Sequence, residues 1–234
     1  MQIRNVVANT FASYLKQNLP TSGYLLMSKR LVVVGATGFQ GGAVISWFQQ
    51  NEPSWRIRGM TRNTASDAAI RLARSGLEVV QADLNDKDSL QAAFKGAQYI
   101  FAFTDFAALI PGAMAKFEAG EIPGPVGAET LRIETQQGRN VADVAASVPE
   151  LERLVWSSAP HVGKLSNGRY DQVWHFDAKA RVAEYMLGLE PLKAKVSIMH
   201  MGIFSSNMFR IKHLWGVKMV TCSFFHDQKL PLSC

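Results

Sequence analysis

The chain has 234 residues, 47% hydrophobic and 19% charged, which is enough apolar material for one sizeable core and excludes a disordered polymer. No apolar run reaches the ~18 residues that a membrane span requires, so no membrane span is expected. The formal net charge of +6 collects at the two ends, leaving a near-neutral body without the basic stripe of a direct nucleic-acid binder.

Residues 1–28 form the first segment, basic, hydroxyl-rich and acid-free, with Ile3, Val7, Phe11 and Tyr14/Leu15 at helical spacing. A mitochondrial transit peptide has that texture, but Pro20 and Gly23 break this one and Arg4 is its only arginine. An N-terminal extension is the preferred reading, with Met27 a natural start for the domain. From Leu31 onward, β-branched runs alternate with longer helical patterns. Leu31 to Val34 reads as a strand, then a glycine-rich turn, then a helix from about Gln40 to Asn51. Arg56 to Met60 and Glu78 to Gln81 read as strands, with a helix from Ala65 to Ser75 between them. Asp86 to Lys95 follows as a helix, with Asn85 and Asp88 placed for capping, and Tyr99 to Phe103 as the fourth strand. Pro111 to Gly127 is rich in proline and glycine and is expected to be a long loop walling a site. A long helix is expected over Glu129 to Ser147, a fifth strand over Arg153 to Ser157, and a second loop over Pro160 to Trp174. A helix over Phe176 to Leu189 and a sixth strand over Lys195 to Met199 complete the pattern.

Six strands alternating with helices predict an α/β protein with a doubly wound parallel sheet, whose ligand lies at the carboxyl ends of the strands. The division expected is an N-terminal extension over 1–28, a nucleotide-binding domain over 29–204 and a divergent tail over 205–234. The tail carries Leu214, Trp215, Val217, Met219, Val220, Phe224 and Phe225, which need either the sheet or a partner to cover them. Both cysteines, Cys222 and Cys234, also fall there. They make neither a disulfide framework nor a metal-ligand set, which points to a reducing compartment: the cytoplasm, with the nucleus as the alternative.

Gly35-Ala36-Thr37-Gly38-Phe39-Gln40-Gly41-Gly42 directly follows the first strand and opens the first helix. Glycines at these places let the chain turn, let the backbone approach a pyrophosphate and let helix and strand pack closely. The helix start then offers N–H groups and a positive dipole end to phosphate. Dinucleotide binding by Gly35, Thr37, Gly38, Phe39, Gln40 and Gly41 is the reading; the alternative is a turn kept for packing alone. NAD binders hold the ribose 2′-hydroxyl with an acid at the end of the second strand. Here Trp55 to Thr64 contains no acid, and Thr61-Arg62-Asn63 stands at that place. Arg62 suits a 2′-phosphate, with Thr61 and Asn63 as neutral donors and Arg58 in reserve, so NADP(H) is favoured over NAD(H). Arg62 as an ordinary surface arginine is the alternative. Asp83, after the third strand, is placed to accept from the adenine amine or to cap the next turn.

The glycine loop, Thr61-Arg62-Asn63, Ala82-Asp83-Leu84, Phe103-Thr104-Asp105-Phe106 and His175-Phe-Asp-Ala-Lys179 together resemble the NmrA-like family, and Gln137-Gly138-Arg139-Asn140 resembles the helix after its fourth strand. These are atypical short-chain dehydrogenase-like proteins, many of them fungal, and the match runs over about Lys29 to Phe209. The resemblance implies a Rossmann fold with NADP preference and one of two roles. One is an oxidoreductase acting on a small-molecule substrate, with a place in secondary metabolism. The other is a non-catalytic redox sensor that regulates a transcription factor through protein contact. Relatives continue beyond the sixth strand into a smaller substrate region, whereas the pattern here is lost after Asn207-Met208-Phe209, so that region reads as truncated or replaced.

Classical short-chain dehydrogenases carry Tyr-x-x-x-Lys on the helix after the fifth strand, with a serine at the strand's end. Here the positions read His175 and Lys179, one turn apart, after Ser157 and Ser158. Lys179 is expected to reach the nicotinamide ribose. His175 is expected either to donate a proton, its ordinary pKa being ~6.5, or to sit inert at a helix start. Ser157 and Ser158 are expected to satisfy backbone groups more than to catalyse, and Tyr170 is a further candidate donor. No metal site is expected.

Overall fold

The computed structural model describes residues 29–201; the N-terminal extension, the tail and both cysteines lie outside them. The β-branched runs form strands β1 (Arg30–Val33), β2 (Arg56–Thr61), β3 (Glu78–Gln81), β4 (Tyr99–Ala102), β5 (Arg153–Ser158) and β6 (Val196–His200). All pairings are parallel, in the order β3-β2-β1-β4-β5-β6. β1 and β4 are covered on both faces, which is why they read as continuous apolar runs rather than alternating ones.

Between the strands stand α1 (Phe39–Asn51), α2 (Asp67–Arg74), α3 (Lys87–Phe94), α4 (Phe106–Glu118), α5 (Val126–Ala146), the short α6 (Val162–Leu165), α7 (Trp174–Gly188) and the short α8 (Glu190–Lys193). The chain steps outward from β1 to β3, then returns across the sheet to β4. α3 packs on α5, and α5 packs on α7. Their buried faces meet the sheet in one core that includes Leu90, Phe94, Val141, Ala145, Trp156, Val182 and Met186.

Three expectations are corrected. Pro111 to Gly127 is not a long loop, because α4 runs through Pro111 and leaves only residues 119–125 irregular. Asp105 starts α4 by accepting from the Ala108 N–H (3.2 Å), and Pro111 lies at the exposed surface, where the carbonyl it fails to satisfy can meet water. The cap of α3 is neither Asn85 nor Asp88 but Asp86, which accepts from the Asp88 and Ser89 N–H groups at 3.0 and 3.3 Å. α5 also begins earlier than its periodicity suggested, at Val126 behind Pro125.

Candidate functional site

The glycine loop leaves the end of β1 at the place where the strand order reverses, between β1 and β4. Gly35 has a φ of +65°, and a Cβ on it would lie 2.6 Å from the Phe103 ring. A Cβ on Gly41 would lie 2.4 Å from the Gly35 carbonyl oxygen, so backbone meets backbone there without room for a methyl group. Gly38 caps α1, and the Gly42 N–H makes the first bond back to its carbonyl (2.9 Å). Gln40 and Gly41 therefore present their amides in the opening turn, where a helix has no carbonyl of its own to offer. Thr37 and Phe39 are exposed beside them. A glycine turn opening a helix in this way has the shape and the free amides to hold a phosphate group.

At the end of β2, Arg62 is exposed and makes no ion pair among the described residues. Its loop is braced from within: Asn63 accepts from the Ala65 N–H (2.9 Å) and the Ser66 hydroxyl (3.0 Å). Arg58, expected as a reserve ligand, is corrected. It is buried, and it donates to Glu78 (2.8 Å), to the Ala93 carbonyl (2.7 Å) and to the Lys95 carbonyl (3.0 Å). Those bonds tie β2 to β3 and to the end of α3, so Arg58 is part of the frame. Asp83 caps its own turn, with Oδ1 accepting from the Asn85 backbone and side-chain nitrogens, both at 2.8 Å.

On the other side of the crevice, β5 and α7 fix Lys179 by its backbone. The Trp156 indole donates to the Lys179 carbonyl (3.1 Å), and so does the Ser158 hydroxyl (3.2 Å). The Ser157 hydroxyl donates to the Gln40 side chain (2.8 Å), a direct link from β5 to the glycine loop. The Lys179 ammonium donates to Glu134 on α5. Close helix packing produces this pair: a Cβ on Gly138 would lie 2.3 Å from Val182, so α5 and α7 touch there. One turn earlier on each helix come Glu134 and Lys179. Burial raises the Glu134 pKa, opposed by Lys179 and the Thr104 hydroxyl and assisted by the Asp105 charge.

His175 stands at the start of α7 on the outer surface, its ring against Phe106 and Phe176 with centroids 5.9 and 4.8 Å away. That packing, and then the Lys179 charge, lower its pKa against the pull of Asp177. Less imidazolium is thus present at neutral pH than on a free histidine. Tyr170 is exposed, with the Arg169 guanidinium 5.5 Å from its ring centre.

Two residues escaped the sequence reading. Glu134 is an acid on the core-facing stripe that also holds Gly138, Val141 and Ala145, and an acid in that stripe was a readable signal. Asp177 gave no such signal. It is buried and accepts from the Val162 (2.7 Å) and Gly163 (3.3 Å) N–H groups, with His161 Nδ1 also 3.3 Å away, so it holds the loop after β5 in place. Among the described residues no cluster of His, Cys, Asp and Glu is gathered for a metal, and no helix is long and apolar enough to cross a membrane.

The profile of the NmrA-like family matches residues 27–221. A similar curated protein, the NmrA-like family domain-containing oxidoreductase lnaB of Aspergillus flavus, is 29% identical over 164 residues, covering 69% of this chain and 43% of its own length. The chain spans about two-fifths of the length of the curated relatives it matches. Among solved structures, the Citrobacter sp. triphenylmethane reductase complexed with NADP(H) aligns with a TM-score of 0.55 and 19% identity, over 77% of this chain and 51% of that one. NmrA, a negative transcriptional regulator, in complex with NADP aligns with a TM-score of 0.57 and 20% identity, over 75% of this chain and 46% of that one. The family profile covers most of the sequence and the fold agrees with it: the chain belongs to the NmrA-like family.

Proposed function

We propose that this chain binds NADP(H) over the carboxyl edge of its sheet and serves as an oxidoreductase on a small metabolite with a carbonyl or activated double bond. The observation that carries the reading is the glycine cradle at the β1/β4 reversal, where Gly41 has no room for a methyl group and the first amides of α1 have no helical carbonyl to pair with. Gly35, Thr37, Gly38, Phe39, Gln40 and Gly41 hold the pyrophosphate. Arg62 takes the 2′-phosphate, Asp83 the adenine amine through the carboxyl oxygen its own turn leaves over, and Lys179 the nicotinamide ribose. Bound there, the nucleotide supplies hydride chemistry. The protein's part is to orient it, with His175 the candidate proton donor. A role in secondary metabolism and a cytoplasmic location belong to the same reading, as does the division into a nucleotide domain over 29–204 and a tail over 205–234.

The test is a titration of NADP⁺, NADPH and NAD⁺ followed by tryptophan fluorescence, repeated on Arg62→Glu. The variant is expected to lose NADP(H) affinity at least about tenfold more than NAD(H) affinity, because it sets a carboxylate beside the 2′-phosphate. Equal losses for both nucleotides refute the role of Arg62.

The second reading, an NADP(H) sensor that regulates a transcription factor by contact, draws on position 175. A histidine with a lowered pKa stands where a catalytic tyrosine is expected. NADPH consumption with a panel of carbonyl compounds separates the two readings. Turnover that falls in Lys179→Ala and His175→Ala supports the enzyme; tight binding without turnover supports the sensor.

A further inference from the structure

Glu134 presents a physical problem. Its side chain has 0% exposure, whereas that of Lys179 keeps 18%. One carboxyl oxygen accepts from Lys179, and the other is buried without a hydrogen bond. Thr104, in the segment after β4, bears on the same carboxyl, but its hydroxyl too lacks a bond of good geometry. Leaving such groups unsatisfied is costly, and an apolar side chain would join α5 to α7 as well or better. The pair therefore does something other than glue the helices. Lys179 is held from both sides at the carboxyl edge: β5 pins its backbone carbonyl, and Glu134 pins its ammonium.

We propose that Glu134 is the positioning residue of Lys179: its sealed carboxylate tethers the ammonium at the edge of the crevice, so that the remaining N–H bonds are aimed at the ribose hydroxyls of the nucleotide. This inference rests on the NADP(H) reading and names a residue that the reading does not include. A tether of this kind trades stability for placement. The groups around Glu134 are Lys179 from α7 and Thr104 and Asp105 from the segment between β4 and α4; His175, one turn before Lys179, bears on the Lys179 charge. Because the Glu134 pKa is raised, the folded state holds its proton to higher pH than the unfolded chain does. The burden of its charge is thus absent in acid and grows as pH rises through the folded-state value. Acidification through the same range releases the tether.

The experiment uses the full chain as wild type, Glu134→Gln, Lys179→Met and the double variant, each titrated with NADPH, with thermal midpoints measured without nucleotide. Glutamine keeps an acceptor for Lys179 and adds a donor toward Thr104, so Glu134→Gln is expected to melt at or above wild type near neutral pH. It is expected to bind NADPH about tenfold more weakly, the worth of one charge-assisted hydrogen bond. On the Lys179→Met background the same change is expected to cost nothing further, since the residue it acts through is gone. The gap in affinity between wild type and Glu134→Gln closes as pH falls and Glu134 takes up its proton. Additive losses, or a lowered midpoint with unchanged affinity, would make Glu134 a structural strut and overturn the proposal. A wild type that fails to bind NADPH overturns the nucleotide reading and this inference with it. Binding with an additive cycle overturns this inference alone.

Discussion

Gly138 is where the packing of α5 on α7 can be tested in quantity. A methyl group there would lie 2.3 and 2.6 Å from the two Val182 methyls and 3.0 Å from Val182 Cβ. Ordinary contact needs about 1 Å more, so Gly138→Ala must push the helices apart or drive Val182 off its rotamer. Overpacking of that kind costs about 1–3 kcal/mol, and the gain in helix propensity returns about 1 kcal/mol, for a net loss of about 0–2 kcal/mol. Val182 is fully buried, and Val182→Ala removes two methyls at ~0.8 kcal/mol each, plus a cavity term, for a loss of about 2 kcal/mol. Combined, the new methyl enters the space that the old ones vacate. The double variant is then expected to be no less stable than Val182→Ala alone, with a coupling of about 1–2 kcal/mol. Urea unfolding read by tryptophan fluorescence measures all three. A second readout comes from function: Gly138→Ala shifts Glu134 against Lys179 one turn away, so NADPH affinity should fall and then recover in the double variant. Stabilities that add within about 0.5 kcal/mol would refute the close-contact argument.

Other consequences follow from the frame of the site. Arg58→Ala leaves Glu78 and two inward carbonyls without their donor, and is expected to cost about 3 kcal/mol in urea unfolding. NADP⁺ affinity of the protein that remains folded should be unchanged, and a selective loss of NADP⁺ would restore Arg58 to the ligand set. Asp177→Ala strips the acceptor from the Val162 and Gly163 amides, for an expected loss of about 2–3 kcal/mol and a faster cut by protease in the loop after β5. An uncut loop at unchanged stability would mean that Asp177 does not hold it. Asp143 gives the pH test. Burial raises its pKa, but hydrogen bonds from Lys87 (2.7 Å) and Tyr185 (2.6 Å) outweigh burial and bring it below the ordinary value. Its contribution is therefore complete above the unfolded pKa of about 4 and is lost as pH falls through the folded one. The thermal gap between wild type and Asp143→Asn should be widest near neutrality and close in acid; a gap that widens in acid would reverse the assignment.

The strands and the parallel sheet were legible because buried parallel strands write themselves as short apolar runs between helical patterns, and the cradle because its glycines sit directly behind the first of them. What misled was composition used as a proxy for conformation. Pro111 and Gly112 suggest a loop, but one proline at a solvent-facing turn costs a single hydrogen bond, and the Asp105 cap with the apolar residues after it sustains α4. Arg58 and Arg62 look equivalent in the sequence, four residues apart on or beside one strand. The sheet separates them, sending Arg58 into the frame between β2, β3 and α3 and leaving Arg62 outside.

The same distinction applies to Lys179 at the edge of the crevice. A lysine kept for charge alone would extend into water, whereas Lys179 gives most of its exposure up to an acid that has no exposure at all. Burial of that acid is possible because Gly138 brings α5 within touching distance of α7, and the ammonium stays at the edge because Trp156 and Ser158 hold the backbone beneath it. Glycine at 138, the strand-end hydroxyl at 158 and the acid at 134 thus all bear on one residue, Lys179. A single cause accounts for three residues that are far apart in the chain and would otherwise each require an explanation of their own.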